Sequence, residues 1–405
     1  MLSLNRGFKM LGKDPKQILN SALNRARVEL KNNDGKDFLK NLSREEINWI
    51  NTISKNASKQ KAVLSVLITS LVKKIETPFQ DVRLHQSKMK GGYSGRTLDT
   101  NVITPFMHRN FQKYSMKESG WLTRSLEQPV AFNLDYPGEI SNKEVKNAFL
   151  QILNYVEEKN ADPEKYLIAL FIHLEIEKRI IQTYISRLPI VSTDVPIESA
   201  INLLKEHFNR PYHSHGASKL PVLAIYSLYQ IMISELARFK SKKLLPLKSH
   251  LTADLKAKSL GDIEVVDENG EFFEVVEVKL GIPISYDMVK TIYDEKIKFT
   301  KANRYYILTS AEPFLIEKEK DDLTELLGQI RKDHGCEVIL NGLIPSIKYY
   351  LRLIRSTRKF LEKYNENLKH EVMTTSEIKK EHIESWMELL MALGFQENNR
   401  SLTSK

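Results

Sequence analysis

Residues 261–280 constrain the fold more than any other part of the chain, because they have the pattern of two strands joined by a tight turn. Residues 261–266 and 272–280 are rich in Ile, Val and Phe, which favour strands. Asn269-Gly270 lies between these runs, and this pair is the strongest short-range signal of a β-hairpin. The sequence therefore predicts an antiparallel β-hairpin.

Three ionisable residues of this hairpin are expected to lie close together. Side chains alternate along a strand, so Glu277 and Lys279 share one face, while Val276 and Val278 lie on the other. Asp262 stands near the start of the partner strand, and antiparallel pairing brings its carboxylate near Glu277.

Two neighbouring carboxylates repel each other unless a cation neutralises them. Oxygen ligands from only one or two side chains suit Mg²⁺, which keeps several waters and takes phosphate oxygens as further ligands. The ammonium of Lys279 would position a metal-bound water or help its deprotonation, or it would offset charge on a phosphate. The pattern predicts metal-assisted phosphodiester hydrolysis. The alternative is an exposed Glu-Val-Lys run that keeps an edge strand soluble.

Asp262 followed by Glu277-Val278-Lys279 resembles the Asp…(Asp/Glu)-x-Lys signature of the PD-(D/E)xK nuclease superfamily. Two longer blocks, residues 78–106 and 216–281, look like type II restriction endonucleases of the SacI-like group. Gly261 stands where that superfamily usually has Pro, a departure that it tolerates. The resemblance extends over residues 60–345.

The resemblance implies a Mg²⁺-dependent, sequence-specific endonuclease for double-stranded DNA, within a restriction-modification system that includes a cognate DNA methyltransferase. Asp262 and Glu277 would hold the metal, with the carbonyl of Val278 as a further ligand, and Lys279 would support the attacking water. Glu235, on the preceding helix, is an auxiliary acid, or else it pairs with Arg238 or reaches the surface. Asp254 is a weaker candidate for an auxiliary acid. Because both strands must be cut, a homodimer is expected. Two alternative functions are a repair or structure-specific nuclease of the same superfamily, and a non-catalytic DNA-binding protein on a nuclease fold.

The order of predicted elements indicates an α/β fold with a restriction-endonuclease-like core, in which helices flank a mixed sheet. Four regions are expected: a helical N-terminal region at 1–75, a basic DNA-contacting and helical region at 76–190, the catalytic core at 191–345 and C-terminal helices at 346–405. The pattern predicts a long helix over 219–242. After the hairpin it predicts helices over 286–302, 313–332 and 345–366, alternating with strands over 304–309 and 336–340. Such alternation implies right-handed crossovers.

Residues 81–124 carry eight Lys and Arg against three Asp and Glu, with aromatic residues and a Gly-rich loop between them. Such a loop can approach a nucleic-acid backbone, and Arg96 can reach a guanine edge. The alternatives are a solvated loop and a salt bridge between Asp99 and Arg96. A basic ridge of Arg352, Arg355 and Lys359 is predicted on one helix. The expected DNA contacts are Arg83, Lys88, Lys90, Tyr93, Ser94, Arg96, Arg109, Lys296, Arg352 and Arg355.

The composition limits the possible partners and compartment. The 405 residues carry a net charge of +10, which is compatible with a polyanionic partner. The single cysteine, Cys336, excludes an intrachain disulfide and fits a reducing cytoplasm. The most apolar stretch, residues 220–237, contains Pro221, Gln230 and Glu235, so it is expected to be a buried helix rather than a membrane span. The first 15 residues lack the apolar run of a signal peptide.

Overall fold

The computed structural model describes residues 13–247 and 259–398. The chain divides into two compact units, Met1–Gln182 and Thr183–Lys405. Among the described residues, no helix is both long enough and apolar enough to cross a membrane.

The first unit is built from helices. Two of its helices begin at local start signals: Pro15 is the first residue of the first helix, and Ser43 forms a capping box with Glu46. The helices are α1 (Pro15–Lys31), α2 (Lys36–Leu39), α3 (Arg44–Lys55), α4 (Lys61–Glu76), α5 (Gly95–Leu98), α6 (Thr104–Asn110), α7 (Lys143–Glu158) and α8 (Pro163–Ser186), the last of which continues into the second unit.

A buried carboxylate organises the segment between α4 and α7. Asp99 is fully buried and accepts hydrogen bonds from the hydroxyls of Ser65 at 2.7 Å, Thr104 at 3.0 Å and Ser119 at 2.8 Å. It also accepts one from the amide of Gly120 at 2.7 Å. A buried acid is tolerated only with such partners, so Asp99 fixes the Pro- and Gly-rich segment against α4.

The second unit combines helices with one sheet. Its further helices are α9 (Ile197–Asn209), α10 (Lys219–Glu235), α11 (Tyr286–Glu295), α12 (Lys320–His334), α13 (Leu343–Leu353), α14 (Thr357–Thr374) and α15 (Lys380–Ala392). Its strands are β1 (Lys243–Leu244), β2 (Ile263–Val266), β3 (Phe272–Lys279), β4 (Arg304–Thr309) and β5 (Glu337–Gly342).

The sheet has five strands in the order β1-β2-β3-β4-β5 and is mixed. The predicted hairpin is confirmed, because β2 and β3 pair antiparallel with Ile263 opposite Val276. Its turn places Gly270 at a φ of 80°, a conformation that favours glycine. Strands β3, β4 and β5 pair in parallel, and α11 and α12 connect them. The chain is therefore α/β, with a mixed sheet flanked by helices, as the sequence predicts.

Each face of the sheet packs against different helices. On one face, Val275 and Tyr305 join a core that includes Val289 of α11 and Leu323 of α12. On the other face, Tyr229 of α10 donates a hydrogen bond to Glu274 of β3 at 3.0 Å. Since neighbouring residues of a strand point to opposite faces, α10 and α11 cover opposite sides of the sheet.

Several predicted helices end earlier or start later than expected. The helix predicted over 219–242 ends at Glu235 and is followed by a short 3₁₀ helix and by β1. The helix predicted over 286–302 ends at Glu295, and the one predicted over 313–332 starts at Lys320. The helix predicted over 345–366 is two helices, because the hydroxyl of Ser356 accepts from the amide of Lys359 and caps a new start.

Replacing Asp99 with Ala should destabilise the first unit by about 3 kcal/mol, because buried donors lose their acceptor. Urea denaturation followed by tryptophan fluorescence tests this, since Trp49 and Trp121 lie in this unit. The control is Asp135→Ala at an exposed position, where a change within about 0.5 kcal/mol is expected. Equal stability of the two variants would contradict the role of Asp99.

Candidate active site

The hairpin brings Asp262 next to Glu277, as the sequence predicts. The register of β2 and β3 pairs Ile263 with Val276, so Asp262 lies across from Glu277. Oδ2 of Asp262 accepts a hydrogen bond from the amide of Val278 at 2.8 Å, which fixes the carboxylate against β3. Two acids thus meet at one end of the hairpin.

Gly261 permits this close approach. A Cβ at this position would lie 2.5 Å from a methyl carbon of Val275 and 2.9 Å from the carbonyl oxygen of Val276. Any side chain here would push the start of β2 away from β3. The Gly that departs from the Pro of the resembled signature therefore has a steric reason in this chain.

Glu277 is the centre of the charged cluster. Its carboxylate is buried, and Oε1 accepts a hydrogen bond from Nζ of Lys279 at 2.7 Å. Oε2 lies 3.1 Å from Nζ of Lys296 and 3.3 Å from the hydroxyl of Tyr305. Burial alone would raise the pKa of Glu277, but the ammonium groups of Lys296 and Lys279 outweigh it and lower the pKa below 4.5. The carboxylate is therefore ionised at neutral pH.

Tyr305 and Glu264 belong to the same face. The register places Glu264 and Tyr305 beside Val275, and the hydroxyl of Tyr305 donates to the carbonyl of Leu260 at 2.7 Å. Burial raises the pKa of Tyr305 well above 10.0, and the charges of Glu277 and Asp262 raise it further. The phenol is thus a neutral donor beside Glu277.

Glu264 has a structural role at this end of the hairpin. Its Oε1 accepts from the amide of Leu260 at 2.6 Å and from the hydroxyl of Ser259 at 3.1 Å. These bonds hold the backbone that leads into Asp262.

The donor set at this face fits Mg²⁺ by its chemistry. Asp262 and Glu277 offer carboxylate oxygens. Both oxygens of Glu277 contact lysine ammonium groups, so the surroundings of this carboxylate favour a cation. Within the described ranges, no group of three or more His, Cys, Asp or Glu converges to hold a metal. Mg²⁺ needs fewer, since it retains waters and takes phosphate oxygens. Val278 was expected to offer its carbonyl to the metal. In the structure its backbone amide donates a hydrogen bond to Asp262 and holds that carboxylate in place.

An open cleft lies beside the charged cluster. Lys296, at the end of α11, lines a cavity of about 400 Å³ together with Ser259, Leu260, Glu295, Phe299 and Thr300. Phe299 is 76% exposed. A ligand that enters this cleft therefore meets the same ammonium that contacts Glu277.

The structure places Glu235 away from this cluster. Its carboxylate accepts from the backbone amide of Arg355 at 2.9 Å and lies 3.6 Å from Nζ of Lys359. It ends α10, which covers the face of the sheet opposite Glu277. The expectation that Glu235 is an auxiliary acid is therefore wrong, and so is its pairing with Arg238, which instead binds Glu274. Asp254 lies outside the described residues.

Two of the residues expected to contact DNA are occupied elsewhere. Arg83 pairs with Asp81 at 2.8 Å and with Glu158 at 2.6 Å, and these bonds raise the pKa of its guanidinium. Tyr93 is buried, with its hydroxyl 3.4 Å from that of Ser70. Tyr93 lies inside the first unit, so the expectation of DNA contact is wrong for it. Arg83 is partly exposed and is held by two carboxylates, and its contact with DNA stays a prediction.

The other expected contacts are more accessible. Lys296 is partly exposed, and the remaining side chains are at the surface, namely Lys88, Lys90, Ser94, Arg96, Arg109, Arg352 and Arg355. The carboxylate of Asp99 accepts hydrogen bonds from three hydroxyls, and it does not form the alternative salt bridge with Arg96. The basic ridge predicted on one helix is interrupted, because α13 ends at Leu353 and α14 starts at Thr357.

Two members of the cluster, Glu264 and Tyr305, were not predicted from the sequence. Glu264 follows Asp262 by two residues, so strand alternation predicts that the two share a face. Tyr305 carried no such signal, because its place depends on the parallel register that sets Val275 beside it. For Lys296, phosphate contact was expected, but its bond to Glu277 was not.

Comparison of the sequence with protein-family models gives no match, and comparison with curated proteins gives no significant match. The function must therefore be inferred from the geometry and charge of this face of the sheet.

Replacing Glu277 with Gln should destabilise the second unit by about 2 kcal/mol at neutral pH, because two ammonium groups lose their partner. The folded-state pKa of Glu277 is lowered, so its stabilisation is present above 4.5 and is lost as the pH falls through the folded value. The difference from the unmodified protein should therefore shrink in acid.

Urea denaturation at neutral and acidic pH measures this difference. The control is Glu271→Gln, which removes an exposed pair with Lys301 and should have little effect at either pH. A destabilisation by Glu277→Gln that is independent of pH would contradict the ionised pair.

Proposed function

We propose that the chain is a Mg²⁺-dependent endonuclease that cuts double-stranded DNA at a specific sequence, similar to type II restriction endonucleases. One observation carries the proposal: Asp262 and Glu277 meet across a hairpin, and Lys279 binds Glu277 at 2.7 Å. The three residues are similar in type and order to the PD-(D/E)xK signature, which supports the proposal. The hairpin, followed by strands joined through α11 and α12, supports a restriction-endonuclease-like core.

Each residue of the cluster has a role in this proposal. Asp262 and Glu277 would hold the ion, which when bound polarises the phosphate and acidifies a water. Lys279 would position the attacking water and offset negative charge that builds on the phosphate. The neutral hydroxyl of Tyr305 donates a hydrogen bond to Glu277, and the backbone amide of Val278 orients the carboxylate of Asp262. The side chains are thus held in place before the substrate arrives, which favours catalysis.

The basic surface of the first unit supports a nucleic-acid substrate. Lys88, Lys90, Arg96 and Arg109 are exposed on a chain of net charge +10. Lysine and arginine at the surface bind phosphates by releasing counterions, and an arginine can also read guanine. A homodimer would supply the two sites that a double-strand cut needs. We also propose that the protein acts in the cytoplasm and that a cognate DNA methyltransferase belongs to the same restriction-modification system.

Lys279→Ala and Asp262→Asn should each lower Mg²⁺-dependent cleavage of plasmid DNA by a factor of about 100 or more. Binding of duplex DNA in the absence of Mg²⁺ should persist, because most of the affinity comes from phosphate contacts elsewhere. The matched control is Lys301→Ala, which removes a lysine that is 83% exposed. Retained cleavage in either site variant would refute the assignment.

Digestion of DNA of known sequence, followed by sequencing of the ends, separates the proposal from its alternatives. Cuts at one short sequence support a restriction enzyme. Cuts that depend on damaged or branched DNA would indicate a repair nuclease. Binding without any cut, with or without Mg²⁺, would indicate a non-catalytic DNA-binding protein.

Arg96→Ala and Arg109→Ala should each weaken DNA binding and reduce the slope of log K against log salt by about 1. Fluorescence anisotropy with a short duplex at several salt concentrations measures both effects. Lys36→Ala, at another exposed position of the first unit, is the control and should leave the slope unchanged. An unchanged slope in both arginine variants would place the DNA-binding surface elsewhere.

A further inference from the structure

Lys296 contacts both the charged cluster and the open cleft. Its Nζ donates to Oε2 of Glu277 at 3.1 Å, while Lys279 holds Oε1 at 2.7 Å. The side chain of Lys296 is 28% exposed and lines the cavity of about 400 Å³. A single ammonium group therefore joins a carboxylate to a space that is open to a ligand.

A divalent ion and an ammonium compete for the same carboxylate. Both oxygens of Glu277 are already bonded to lysines, so an ion that binds Glu277 must approach a positive charge. Charges of like sign repel strongly in a partly buried place. Entry of the ion is therefore favoured when one of the two ammonium groups leaves.

Lys296 is better placed to leave than Lys279. Lys279 belongs to β3, two residues from Glu277 on the same face. Lys296 follows the last residue of α11 with a non-helical φ of -123° and ψ of -65°, and the cleft lies beside it. Its four-carbon stem is flexible, so Nζ can swing from the carboxylate into the cleft.

We propose that Lys296 is an exchangeable counterion of Glu277: a divalent ion displaces its ammonium, which then binds a phosphate of the nucleic acid in the cleft. This inference rests on the proposed nuclease function. Metal binding and DNA binding are then coupled, because each favours the arrangement in which Lys296 has left Glu277. Lys296 acts as a positioning residue that links the two ligands.

The first test measures Mg²⁺ and Mn²⁺ binding without DNA. Isothermal titration calorimetry is done at about pH 8, where carboxylates are ionised. Lys296→Met should bind the ion about tenfold more tightly than the unmodified protein, because the ion no longer displaces a charge-assisted hydrogen bond.

The matched control is Lys290→Met on α11, which removes an exposed lysine paired with Asp294 and should leave the affinity unchanged. Lys296→Gln serves as a second variant if Lys296→Met unfolds. Equal or weaker ion binding by a folded Lys296 variant would overturn the inference.

The second test measures binding of a short DNA duplex in EDTA by fluorescence anisotropy. Glu277→Gln should release Lys296 and bind DNA more tightly than the unmodified protein, by about tenfold at most. The double variant Glu277→Gln/Lys296→Met should lose that gain, while Lys296→Met alone should change little. A gain that persists without Lys296 would reflect only the lost negative charge and would overturn the inference.

Failure of this inference can be told from failure of the nuclease proposal. If the unmodified protein binds Mg²⁺ and cuts DNA but Lys296→Met binds Mg²⁺ no more tightly, only the exchange of Lys296 fails. If neither protein binds a divalent ion and no DNA is cut, the proposed function itself fails.

Discussion

The burial of an ionised carboxylate at Glu277 is the constraint on which the second unit depends. A buried charge is stable only with partners, and removal of one partner leaves the others uncompensated. Here the partners come from separate parts of the chain: Lys279 from β3, Tyr305 from β4 and Lys296 from the end of α11. The hairpin, the parallel register and the length of α11 must therefore all be correct for this one group to be tolerated.

The opposite face of the sheet carries a second buried acid with different properties. Glu274 accepts from the hydroxyls of Tyr229 and Tyr306 and pairs with Arg238. Burial raises the pKa of Glu274, and Arg238 offsets this only in part, whereas two ammonium groups lower the pKa of Glu277. Glu274 lies beneath α10 and ties that helix to the sheet. Glu277 instead contacts Lys296, which lines a cleft, and the proposed function depends on this face of the sheet.

The features that the sequence predicted depend on neighbours along the chain. Asn269-Gly270 selects the hairpin turn, and strand alternation places Glu277 and Lys279 on one face, because each rule acts within a few residues. The wrong expectations concern tertiary context. The residues next to Glu235 in the sequence do not indicate that it ends a helix on the opposite face of the sheet. Those next to Tyr93 do not indicate that its side chain is buried in the core. A resemblance in motif supplies the acids but not the register that adds Tyr305.

Electrostatics gives the proposed metal dependence a physical origin in this chain. A DNA phosphate and the carboxylate of Glu277 carry charge of the same sign, so the phosphate approaches only where a cation stands between them. Lys279 and Lys296 now fill that place, one on each oxygen. An ammonium can neutralise but cannot acidify a water, whereas a divalent ion does both. Under the proposed function, the two lysines keep Glu277 ionised in the absence of metal, and activity would begin only when an ion replaces one of them.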